Sequence, residues 1–88
     1  MKKETQAFLL KGNELSFDEI MLYAERIRKD GNVFLVKLDG GRSLGEEQYT
    51  AVIGFPNDPE KNVIRADTST LKEACLNVLK QYFRTHNF

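Results

Sequence analysis

Alternating and helical spacings of apolar residues succeed one another along this chain in the order strand, helix, three strands, helix. Thr5 to Lys11 reads as a short strand, with Phe8 and Leu10 on one side and Ala7 and Leu9 on the other, and Gly12-Asn13 breaks it. Ser16-Phe17-Asp18-Glu19 then has the form of a capping box. Leu15 and Ile20 stand where a hydrophobic staple belongs, one residue before the cap and four after it. Phe17, Ile20, Met21, Ala24 and Ile27 follow helical spacing, and Gly31 sits where a left-handed residue closes a helix.

Asn32 to Asp39 predicts a strand in which Phe34, Val36 and Leu38 alternate with Val33, Leu35 and Lys37; Asp39-Gly40-Gly41 is a turn. Gln48 to Phe55 predicts the next strand, with Tyr49, Ala51, Ile53 and Phe55 on one face. Pro56-Asn57-Asp58-Pro59 ends it. Asn62 to Asp67 gives another strand, Ile64 and Ala66 opposite Val63 and Arg65. The last helix starts among Asp67, Thr68, Ser69 and Thr70, and Thr70 to Glu73 fits a second capping box. Its stripe is Leu71, Ala74, Cys75, Val78, Leu79, Tyr82 and Phe83.

The expected fold is therefore α+β, order β-α-β-β-β-α. Three short-linked strands form an antiparallel meander, a sheet of three to four strands with two helices packed on one face. Residues 1–88 make a single small domain. A chain of this length buries roughly 60–65% of its unfolded surface, so oligomerisation is a natural supplement to its stability.

Composition removes more functions than it suggests. The chain has one histidine, His86, one cysteine, Cys75, and no tryptophan. Most zinc sites, cysteine–histidine and serine–histidine nucleophile systems, and haem or iron–sulfur ligation lack their residues. No catalytic, metal or cofactor site is expected, and the chain is read as a non-enzyme. Cys75 lies on an apolar helix stripe, where an inert thiol belongs. Asp58, Glu60 and Asn62 alternate without the rest of a calcium loop. Gly40-Gly41-Arg42 opens no helix and precedes no Gly-Lys-Ser/Thr, so it is a turn and not a phosphate loop. An enzyme would have to be built from groups such as Tyr49, Arg65 and Asp67, whose spacing suggests nothing.

Thirteen basic residues balance thirteen acidic ones, and neither sign collects in one half: eight basic and seven acidic residues reach Leu44, five and six follow. Nucleic-acid binding, which usually needs a basic excess, ranks second, through Lys11, Arg26, Lys29, Arg42, Lys61, Arg65 or Lys72. No apolar run approaches the ~20 residues of a membrane span. A single cysteine and no visible secretory signal point to the cytoplasm.

Apolar residues off the expected stripes point to a partner. Leu22 and Leu76 each fall outside the buried stripe of their helix, with Tyr23 beside the first. Val33, Leu35, Val52 and Val63 would be exposed on the sheet face away from the helices. The favoured reading is a protein-binding module, an inhibitor-type protein such as an immunity protein, antitoxin or anti-defence factor that occludes its target. A homodimer is a further use of the same surface. The candidate contacts are Leu22, Tyr23, Arg26, Arg42, Glu46, Glu47 and Tyr49.

From Ser16 onward, the order helix–three strands–helix, with Thr68-Ser69-Thr70-Leu71-Lys72 at the second helix start, resembles the double-stranded-RNA-binding domain. In that family the second helix opens on a lysine-rich phosphate grip; Lys72 stands alone here, which leaves the topology without most of the contacts. Asp67-Thr68 and Glu73-Ala74 resemble the helix start of small antitoxins of the HicB type. The spacing is two residues longer, and the family's preceding proline–glycine–cysteine signature is absent.

Overall fold

The computed structural model describes residues 14–41 and 47–85. They form α1 (Phe17–Lys29), β1 (Val33–Leu38), β2 (Tyr49–Gly54), β3 (Ile64–Thr68) and α2 (Leu71–Thr85). The class is α+β, as the spacing predicts. The sheet has three antiparallel strands in the order β1-β2-β3. The strand expected over Thr5 to Lys11, which would have supplied a fourth, lies outside the described residues.

Local chemistry fixes α1 at both ends. The Ser16 hydroxyl accepts from the Glu19 amide at 3.2 Å, and the Glu19 carboxylate accepts from the Ser16 amide at 3.2 Å. This closes the capping box that the sequence predicts. Leu15 and Ile20 flank it, both fully buried. At the other end Gly31 adopts φ +85°, its amide donating to Arg28 O at 2.9 Å while the Asn32 amide donates to Ile27 O at 3.1 Å. That pair of bonds satisfies carbonyls the helix end would otherwise leave open. On α2 the Thr70 hydroxyl accepts from the Glu73 amide at 3.2 Å.

The register places Phe34, Val36 and Leu38 beside Ile53, Ala51 and Tyr49, which in turn meet Ile64, Ala66 and Thr68. This is the face that carries the helices. α2 packs over β2 and β3, and α1 packs on β1 and against α2. Ala51 and Ala66 sit side by side near the sheet centre, and their small side chains let a helix come close. The core gathers Leu15, Ile20 and Ile27 with Ile53, Phe55 and the buried side of α2, from Ala74 to Phe83.

Two expectations about the helix faces need correction. Phe17 and Met21, placed on the buried stripe of α1, are 45% and 46% exposed. At about 100° per residue they lie on the flank of the helix opposite Tyr23. Tyr23 is drawn inward by α2, its ring edge-on to Phe83 at 5.6 Å, so α1 is rotated toward its neighbour. Leu76, expected on the exposed side of α2, is 5% exposed. Seven residues separate it from Phe83, which puts the two within about 20° of each other around the axis. The flank that meets α1 therefore buries both.

Candidate protein-interaction surfaces

β1 is the least covered element of the sheet: none of its six residues is fully buried, and Phe34 alone is partly so. Among the described residues it pairs with β2 only. The Asp39 amide donates to Gln48 O at 2.7 Å in the same register. Odd positions of β1 thus bond to β2, and by the alternation of an antiparallel ladder the amides and carbonyls of Phe34, Val36 and Leu38 point to the open edge. Beside that edge, Met21, Ala24 and Arg28 of α1 face Asn32, Phe34 and Val36 across a groove of about 580 Å³. Leu38, 63% exposed, continues the apolar strip past Val36. Glu25 and Arg28 form an ion pair on the rim that lowers the carboxyl and raises the guanidinium, mainly by their mutual hydrogen bond.

The outer face of the sheet forms a second surface, as the alternation predicts. Val33 and Leu35 (59% exposed) are open there, and Val52 is half-buried; Val63, also exposed, stands just before β3. A polar cluster borders them. The Thr50 hydroxyl donates to Asp67 Oδ1 at 2.5 Å, and Arg65 donates to both Asp67 oxygens at 3.1 and 3.2 Å. These bonds leave Thr50 buried without an unsatisfied hydroxyl.

The predicted contact residues divide between sites. Leu22 is 71% exposed, as expected. Tyr23 and Arg26 are half-buried and not fully open; Arg26 donates to Asp30 Oδ1 at 3.2 Å. Leu22, Tyr23 and Arg26 nevertheless share one groove of about 540 Å³ on α1. Glu47 is exposed just before β2. Tyr49, expected at the surface, packs partly against the core and lines a separate groove with Phe17 and Leu38. Arg42 and Glu46 lie outside the described residues. Phe17, Met21, Val36 and Leu38 are exposed although their spacing assigns them to a core face. For Phe17 and Met21, a place at the margin of the α1 stripe is the one hint in the sequence.

Burial raises the Cys75 thiol above its usual range. Among the described residues, no three His, Cys, Asp or Glu side chains gather closely enough to hold a metal ion. The Asp58 carboxylate accepts from the Glu60 amide at 3.3 Å, an ordinary turn contact. Among the cations named for nucleic acid, Arg26 and Arg65 are paired with Asp30 and Asp67, and the Lys61 ammonium lies over the Phe55 ring at 5.0 Å. Lys11 and Arg42 are outside the described residues. No helix among the described residues is long and apolar enough to cross a membrane.

Among the described residues, fold and surface define a small α+β architecture in which β1 pairs on one side only, beside an apolar helix flank. Comparison with family models, curated proteins and solved structures returned no match.

Proposed function

We propose that this chain is a non-enzymatic protein-binding module, and that it acts as an inhibitor of the immunity-protein, antitoxin or anti-defence kind by occluding its target. One observation carries the reading: among the described residues β1 pairs with β2 alone, and its apolar side chains are exposed beside outward-pointing amides and carbonyls, with Phe17 and Met21 of α1 alongside. Such an edge is a ready template for a strand from another polypeptide, main-chain bonds giving affinity and the flanking groove giving selectivity. Charge supports a protein target over nucleic acid, because the chain is neutral and Arg26 and Arg65 are held by carboxylates.

Affinity capture from a lysate of the source organism tests this, with wild-type bait beside a Met21→Lys/Leu38→Lys variant. One stoichiometric protein that survives high-salt washing and is lost with the variant is the expected result. Recovery dominated by nucleic acid and released by salt would replace this reading with the nucleic-acid one.

A further inference from the structure

We propose that Asp39 is a site of spontaneous covalent modification, at which the folded protein converts aspartate to isoaspartate, and that the fold protects the same dipeptide at Asp30. Asp-Gly occurs twice in the chain, as Asp30-Gly31 and Asp39-Gly40. It is the dipeptide in which an aspartyl side chain cyclises most readily on the following amide, because glycine has no side chain to obstruct the approach. The two carboxylates are equally accessible, each side chain being 24% exposed. Exposure therefore does not separate the sites; their hydrogen bonds do.

At the end of α1 both reacting groups are engaged. One Asp30 oxygen accepts from Arg26 Nε at 3.2 Å, and the other accepts from the Tyr82 hydroxyl at 3.0 Å. The Gly31 amide, the nitrogen that would attack, donates to Arg28 O at 2.9 Å, and the helix closure fixes its backbone at φ +85°. Cyclisation there requires the last turn of α1 to open and the Tyr82 bond to break. In the turn after β1 the attacking nitrogen is not so held. The Asp39 carboxylate accepts from the Gly41 amide at 3.0 Å and lies 3.4 Å from the Lys37 ammonium; both contacts are local and pass Gly40 by. Among the described residues the Gly40 amide finds no acceptor. Nothing stands within 4 Å of the place a Gly40 side chain would take.

The reaction is a dehydration followed by a hydration. The Gly40 nitrogen attacks Cγ of the neutral Asp39 carboxyl group; the N–Cγ bond forms, and the hydroxyl leaves with the amide proton as water. Water then adds to the former main-chain carbonyl carbon of the five-membered ring and breaks its bond to the Gly40 nitrogen. The chain now runs through Cβ and Cγ of residue 39, and a free carboxylate is left on its Cα. One water is lost and one regained, and nothing is oxidised or reduced. The main chain gains a methylene directly after Leu38, beside the Asp39 amide that donates to Gln48 O at 2.7 Å. The β1–β2 ladder loosens at that end, away from the core. The inference does not depend on what the protein binds.

Ageing the full chain at neutral pH, folded and in guanidinium chloride side by side, is the test. Digestion and electron-transfer fragmentation then locate each isoaspartate. In denaturant the two sites should convert at similar rates. In the folded chain Asp39 should convert roughly tenfold faster than Asp30 or more, because Asp30 reacts only through local opening. Gly40→Ala should suppress conversion at Asp39 and keep the fold, since its Cβ meets no neighbour. Tyr82→Phe releases one Asp30 oxygen and should raise conversion at Asp30, with Asp39 as the internal reference. Folded protein that converts at both sites alike, or faster at Asp30, overturns the proposal. So does conversion at neither site over a period in which the denatured chain converts at both.

Discussion

The Tyr82 hydroxyl donates to Asp30 Oδ2 at 3.0 Å and accepts from Asn32 Nδ2 at 3.0 Å, which ties the end of α1 to the last turns of α2 across 52 positions of sequence. Arg26 holds the other oxygen of the same carboxylate. The ring is fully buried, stacked on Phe55 with centroids 6.1 Å apart and edge-on to Phe83 at 5.5 Å. One side chain thus joins both helices and the β2–β3 connection.

Tyr82→Phe keeps the ring and removes both hydroxyl bonds. Loss of about 1–2 kcal/mol is expected in denaturant titration. Burial pushes the Tyr82 phenol up to about 12, with the Asn32 donor opposing and Asp30 reinforcing the shift. Because the folded value lies above that of the unfolded chain, this contribution is complete below about pH 10 and is lost as pH rises through 12. Phenolate formation at Tyr82 should come only at strongly alkaline pH and should accompany alkaline unfolding. Ionisation of Tyr82 at about pH 10 with the fold intact would contradict the clamp.

Gly31→Ala places a Cβ at φ +85° and 3.4 Å from Asn57 Nδ2. A destabilisation of about 1–2 kcal/mol follows from the left-handed backbone alone. Ser16→Ala removes the cap at the opposite end of α1 and should cost about 1 kcal/mol. The two sites lie a whole helix apart, so the double variant should show nearly the sum of the single effects.

Leu76→Ala and Leu22→Ala separate two leucines whose helical spacing looks alike. Leu76 is buried and its truncation should cost about 2–4 kcal/mol. Leu22 is open, and its replacement should stay within about 0.5 kcal/mol. Equal costs in thermal or chemical unfolding would refute the assigned orientation of α2.

Cys75 is buried and its thiol is raised by burial, so the reactive thiolate is scarce near neutral pH. A thiol reagent should modify the native chain slowly and the denatured chain at the rate of a free cysteine. Fast labelling of the folded protein would mean that the α2 core opens readily.

What was legible in the sequence is the part that local chemistry determines. Ser16 and Glu19 announce the start of α1, Gly31 its end, and the alternation of Ala51, Ile53 and Phe55 the buried face of β2. The alternation also marks Val33 and Leu35 as outward. Helix orientation was legible only to within a residue's width, because it depends on which neighbour stands at each flank. Tyr23 turns toward Phe83, and that one contact leaves Phe17 and Met21 open. Leu76 is buried on the flank that carries Phe83. The Tyr82–Asp30–Asn32 bonds join residues about fifty positions apart, a pairing that spacing within one element does not encode.

The bareness of β1 also bears on how this protein keeps itself in solution. Of its six residues only Lys37 is charged. Edge strands of this kind invite stacking of chain upon chain into extended aggregates, and a lysine on the edge is a common guard against it. Lys37, itself beside Asp39 at 3.4 Å, is thus the gatekeeper of the strand. Removing its charge should leave the folded state nearly unchanged while lowering the concentration at which the protein precipitates.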